Sequence, residues 1–170
     1  IKSMTIEGQK LADYTNTVEV AAGKVTTHQL AVRTDSGRNT MLLVSGGELE
    51  MVDDQLKAGQ NSSSAEGDVG AIFRQTGGWV NMGKEVNLNE TQGTYATFEL
   101  LGGVYCGRNI RGWTGSPYRG GTGKTTFRAD GGTLKPTLSY NSGNNLTLIE
   151  LMPEVRLGAK GLTVDTDGHN

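Results

Sequence analysis

Residues 40–52 read TMLLVSGGELEMV, and the fold expected of this chain turns on how they are read. Residues 40–45 are apolar at nearly every position, which predicts a strand buried on both faces. Gly46 and Gly47 can supply the positive φ of a tight two-residue loop. Residues 48–52 then alternate acidic with apolar, as a strand with one wet face would. The stretch therefore predicts an antiparallel hairpin.

The flanking sequence repeats the theme. Residues 71–75 and 79–82 read as two strands joined by Thr76, Gly77 and Gly78, a second predicted hairpin. Upstream, residues 2–6, 17–21 and 24–33 carry short alternating patterns, with a turn over 34–39. Residues 53–70 are small, polar and acidic and are expected to form a long mobile loop. Downstream, 94–101 is a strong strand, rich in β-branched and aromatic residues. Residues 133–140 predict a strand whose Pro136 places it at an edge or bulge. Residues 146–152 and 155–164 complete the set, and 165–170 form a tail. No window carries the apolar spacing of an amphipathic helix, and no sequence repeat recurs at a fixed period. The expected fold is all-β, an antiparallel β-sandwich or jelly roll of about ten short strands, spanning 1–170 as one domain. Leu30, Val32, Leu42, Val44, Phe98, Leu100, Leu148 and Leu151 are its expected core.

Composition narrows the function classes. The 170 residues include 26 glycines, 3 prolines and one cysteine, with a net charge of -2. That charge gives no bulk attraction to nucleic acid or to an anionic membrane. A lone Cys106 cannot form an internal disulfide, and its expected role is a small buried hydrophobe. No apolar run is long enough for a transmembrane helix. The chain opens on Ile1, which fits a mature exported product. His28 and His169 are the two histidines, and no hydrolase or metal-binding spacing accompanies them. No enzyme activity, cofactor or metal is expected.

One stretch departs from the average. Residues 105–128 carry Arg108, Arg111, Arg119, Lys124 and Arg128, interleaved with Tyr105, Trp113, Tyr118 and Phe127. No acidic residue occurs between Glu99 and Asp130. Arginine offers bidentate hydrogen bonds to carboxylate, phosphate or sulfate, and flat aromatics among glycines can stack on sugar rings. Arg108, Arg111, Trp113, Tyr118, Arg119 and Lys124 are thus the expected contact residues for a partner or ligand. An opposite patch comprises Glu48, Glu50, Asp53, Asp54, Glu66 and Asp68, with Lys57 its one cation. Two such patches can meet head to tail between copies.

Within the basic stretch, residues 119–126 (RGGTGKTT) resemble the variant phosphate loop of ParA/MinD-type ATPases, K-G-G-x-G-K-T-T, with Arg119 in place of the signature lysine. In that family the loop leaves a buried strand and opens a helix whose N-terminus holds the phosphates. Here GWTGSPY precedes the motif and FRADGG follows it, so no nucleotide binding is expected.

The sequence expectation is a non-enzymatic, extracellular structural or adhesive subunit of a surface appendage or virion, such as a pilus, tail fibre or capsid-associated protein. Its partners would be other copies or other subunits. The competing expectation is a carbohydrate-binding module that recognises an acidic glycan through residues 105–128.

Overall fold

The structure, a computed structural model, describes residues 1–7, 15–33, 39–60, 70–88, 95–112, 125–137 and 148–166. Its strands come in consecutive triplets. The first is β1 (Ser3–Glu7), β2 (Asn16–Val20) and β3 (Lys24–Thr27), and the second is β4 (Gln29–Arg33), β5 (Thr40–Val44) and β6 (Glu48–Met51). The third is β7 (Leu56–Gln60), β8 (Gly70–Gln75) and β9 (Trp79–Met82). The fourth is β10 (Val86–Leu88), β11 (Tyr95–Leu100) and β12 (Val104–Gly107). The fifth is β13 (Ile110–Gly112), β14 (Thr125–Ala129) and β15 (Gly132–Pro136), and the sixth is β16 (Ile149–Glu150), β17 (Glu154–Leu157) and β18 (Leu162–Val164).

Each triplet gives one strand to each of three six-stranded sheets. Sheet 1 runs β1-β4-β7-β10-β13-β16, sheet 2 runs β2-β5-β8-β11-β14-β17, and sheet 3 runs β3-β6-β9-β12-β15-β18. Every pairing is parallel. The chain is a β-solenoid: it winds forward, and each strand lies on the corresponding strand of the triplet before it.

This overturns the antiparallel sandwich or jelly roll, and with it both predicted hairpins. Strands β5 and β6 do not pair with each other. Leu42 pairs with Val18 before it and Phe73 after it, while Leu49 pairs with Val25 and Val80. Between them Ser45-Gly46-Gly47 is a corner where the chain passes from sheet 2 to sheet 3. Gly47 takes φ +57°, matched by +71° at Gly23, +66° at Gly78 and +74° at Gly103 in the neighbouring triplets. These corners stack as a column, with Ser45 N–H donating to Val20 O at 3.1 Å and Trp79 N–H to Gly47 O at 3.0 Å. A Cβ built on Gly46, Gly77 or Gly102 would land on the carbonyl oxygen of Ala21, Ser45 or Thr76 respectively. Glycine is therefore needed here for contact between successive triplets, not for closing a hairpin.

Other expectations shift with the topology. Leu56–Gln60 is strand β7 rather than part of a loop, with Leu56 and Ala58 fully buried; residues 61–69 lie outside the described residues. Pro136 ends β15, which lies between β12 and β18 and is not an edge. The predicted strand over 155–164 divides into β17 and β18 at Gly158–Gly161, and of 146–152 only Ile149–Glu150 is strand among the described residues.

The core is a set of columns running along the solenoid axis. Leu30, Val32, Leu42, Val44, Phe98 and Leu100 are all buried, as expected. Leu148 packs against the core from its margin, whereas Leu151 is 45 % exposed and sits at φ 49°. In sheet 2, Val18, Leu42, Phe73, Phe98, Phe127 and Val155 follow one another in a single column. The rings of Phe73 and Phe98 stack at 4.7 Å between centroids, and those of Phe98 and Phe127 at 5.7 Å. Tyr105 meets Phe98 edge-on at 5.1 Å. Gln75 occupies an inward position, and its Nε2 donates to the corner carbonyls of Gly77 and Gly78 and to Val104 O.

Tyr105 is buried completely, and its hydroxyl has no hydrogen-bond partner. Burial pushes the phenol well above its ordinary pKa. An unsatisfied buried hydroxyl costs about 1–3 kcal/mol. Tyr105→Phe keeps the edge-on ring contact and removes that cost. It should raise the melting temperature by a few degrees, at roughly 2–4 °C per kcal/mol for a chain of this size. A fall in melting temperature would mean that the hydroxyl is satisfied.

Candidate functional site: the outer faces and the open end

Of the expected contact residues, Arg108 and Arg111 lie among the described residues. Arg108 lies in the corner between β12 and β13, half-buried. Arg111 points outward from sheet 1, in the row Lys57, Asn87, Arg111, Glu150. Its Nε lies 3.2 Å from Glu150 Oε1, and Asn109 Nδ2 donates to the same oxygen at 2.9 Å. Trp113, Tyr118, Arg119 and Lys124 lie outside the described residues. Two of the interleaved aromatics, Tyr105 and Phe127, are core residues rather than contact surface. The residues that follow Lys124 form strand β14 and not the helix of a phosphate loop.

Sequence reading missed Glu150 as the partner of Arg111, because parallel register alone brings β13 and β16 together. The same register joins Asn87 Nδ2 to Gln55 Oε1 and Gln55 Nε2 to Glu85 Oε1, both at 2.6 Å. The outer face of sheet 1 thus carries a polar stripe along the axis. Its groups are held at the strand spacing of about 4.8 Å.

The acidic patch is likewise met by residues from the preceding triplet. Lys24 Nζ lies 2.8 Å from Glu48 and 3.0 Å from Glu50. The hydrogen bonds that Lys24 donates to the two carboxylates hold its pKa above the ordinary value, and the Lys24 ammonium holds Glu50 below its own. His28 Nδ1 and Asp53 Oδ2 are 2.9 Å apart. Glu66 and Asp68 lie outside the described residues. His28 and Cys106 are not brought together: one follows β3 and the other lies in β12, three strands away in sheet 3. Cys106 is buried. No group of three or more potential metal ligands occurs among the described residues.

On the outer face of sheet 2, Arg74, Glu99 and Arg128 stack in adjacent strands. Glu99 is buried; it accepts from Arg74 Nε, and Arg128 Nη1 lies 3.6 Å away. Both arginines are over a third exposed, so solvent screens much of the attraction. Glu99→Gln should cost about 1 kcal/mol at low ionic strength, and the loss should shrink in high salt. A salt-independent loss would assign the effect to packing.

The last feature is the apolar surface of the sixth triplet. Val155, Leu157 and Val164 continue inward-facing columns whose preceding members, Phe127, Ala129 and Leu134, are buried. They are themselves 52 %, 63 % and 47 % exposed. Among the described residues, strands β16, β17 and β18 are each the last of their sheet.

Three parallel sheets wound about an apolar core define the chain as a parallel β-solenoid. No family model, no curated protein and no solved structure matches it.

Proposed function

We propose that the chain is a non-enzymatic structural or adhesive subunit of an extracellular assembly, a surface appendage or virion part. The observation that carries this reading is the apolar surface of the sixth triplet, where Val155, Leu157 and Val164 are about half exposed. Contiguous exposed apolar surface marks an interaction site. The outward ladders of ion pairs suit a rigid, exposed rod. Electron microscopy of the purified protein, with sedimentation over a range of concentrations, tests the reading. Assemblies are expected. A monomer at every concentration that binds a glycan array would overturn it in favour of a glycan-binding module.

That second reading has its own support on sheet 1, where Gln55, Glu85, Arg111 and Glu150 are partly exposed around the buried Asn87 and Asn109. Spaced donors and acceptors on a rigid face suit sugar hydroxyls. The charge of Arg111 is engaged by Glu150, which favours a neutral glycan over an acidic one. Loss of glycan retention in Glu85→Ala, with an unchanged melting temperature, would support it.

A further inference from the structure

Among the described residues, Trp79 is the aromatic side chain most open to solvent, 41 % exposed on the outer face of sheet 3. Val80 and Met82 turn into the core, which sets Trp79 and Asn81 outward together. Across the sheet the row of Trp79 reads Lys24, Glu48, Trp79, Val104, Thr133. Its members leave the indole standing clear. Glu48 meets Lys24 on its far side, at 2.8 Å, and Val104 and Thr133 are short. Gly47, Gly78 and Gly103 come just before Glu48, Trp79 and Val104 and carry no side chain.

A single exposed hydrophobe is ordinary on a protein surface. The groups beside this one are not those of a solvated face alone. Asn81 follows Trp79 about 6.6 Å along the strand, with Glu50 next to it on β6. Among the described residues, neither the indole nor the Asn81 amide has a ring contact, side-chain hydrogen bond or ion pair. That amide offers two donors and an acceptor. The face of an indole is electron-rich, and one face of a pyranose ring presents C–H groups of partial positive charge, so the two stack. The hydroxyls at the edge of a stacked ring then fall beside the Asn81 amide and the carboxylates of β6.

Charge selects among sugars. Lys24 is engaged by both Glu48 and Glu50, and Lys135, on the same face, lies 3.5 Å from Asp165. The surroundings of Trp79 thus hold two carboxylates to one lysine, which repels sulfate and uronate groups. The same balance argues against a nucleic acid, whose bases could also stack on an indole.

We infer that the outer face of sheet 3 binds a neutral sugar unit, stacked on Trp79 and hydrogen-bonded by Asn81. The inference rests on the adhesive part of the proposed function and names its ligand class, and it places the sugar on sheet 3 rather than sheet 1.

The test is retention of the 170-residue chain on an array of neutral hexose and N-acetylhexosamine oligosaccharides, with uronate and sulfated glycans alongside. Titration of the best neutral oligosaccharide and a melting curve follow for every variant. Trp79→Ala should weaken binding about tenfold or more, and Asn81→Ala should weaken it in the same direction, both at an unchanged melting temperature. Trp79→Phe keeps a flat ring and should keep most of the binding. Binding should also change the indole emission of the native chain, and Trp79→Phe should remove that change. Retention of acidic glycans only, or of none, would overturn the inference. So would retention that Trp79→Ala leaves intact and Glu85→Ala abolishes, which would move the site to sheet 1. Sedimentation is read separately. Assemblies that retain no glycan would overturn the sugar site and leave the structural-subunit reading standing, whereas a monomer that retains neutral glycans through Trp79 would do the reverse.

Discussion

Phe98→Ala is expected to destabilise the fold by about 3–5 kcal/mol, the range for deleting a large aromatic from a closed core. Phe98 is fully buried and sits mid-column, stacked on Phe73 and Phe127 and touched edge-on by Tyr105. In a solenoid each layer is supported only by the layers beside it, so a void at this level weakens the contact between the triplets on either side. Denaturant unfolding measures the loss. Val155→Ala, in the same column but in the sixth triplet, is the control and should cost about 1 kcal/mol or less, because its side chain is half exposed. Similar losses at both positions would mean that Val155 is covered in solution.

Gly78→Ala is expected to be as damaging, for a different reason. The residue lies at φ +66°, and a Cβ there would overlap the carbonyls of Gly46 and Gly47. The left-handed conformation alone costs a non-glycine residue roughly 1–2 kcal/mol. The overlap adds to that, because the neighbour is backbone and cannot swing aside. Gly23→Ala separates the two terms: Gly23 has φ +71°, and its added Cβ would meet nothing within 4 Å. Gly23→Ala should cost only the conformational part. Gly78→Ala should exceed it by at least about 2 kcal/mol, in the range of severe core damage. Equal losses would show that the corners yield, and the stacked-corner account would fall.

These two residues show what was legible in the sequence. Alternation and β-branched runs marked strands, and six of the eight expected core residues lie in full burial. The direction of pairing was not legible. Gly-Gly between two apolar runs satisfies a hairpin loop and a solenoid corner equally well, since both need a positive φ. What separates them is the partner strand, which lies one triplet away. The recurrence of A-A-G, S-G-G, T-G-G and L-G-G at residues 21–23, 45–47, 76–78 and 101–103 was the available signal. It has no fixed period because the connections between sheet 1 and sheet 2 differ in length. Leu42 follows its column partner Val18 by 24 residues, and Phe73 follows Leu42 by 31. Leu151 failed as a core residue because it follows β16 at φ 49°, outside the strand columns. The candidate surfaces were hidden for the same reason: Glu150 beneath Arg111, and Lys24 beside Glu48 and Glu50, are neighbours only through register.

The contrast between the two kinds of connection has a further consequence. The passage from sheet 2 to sheet 3 takes three residues in each of the first four triplets, and the stacked carbonyls forbid extra bulk there. The passage from sheet 1 to sheet 2 takes eight residues after β1, nine after β7 and twelve after β13. Length is rationed along one edge of the rod and free along another. The passage from sheet 3 to sheet 1 is also permissive, taking one residue after β3 and twelve after β15, so insertions that diversify such a chain would gather on these two edges while the stacked-corner edge keeps its spacing.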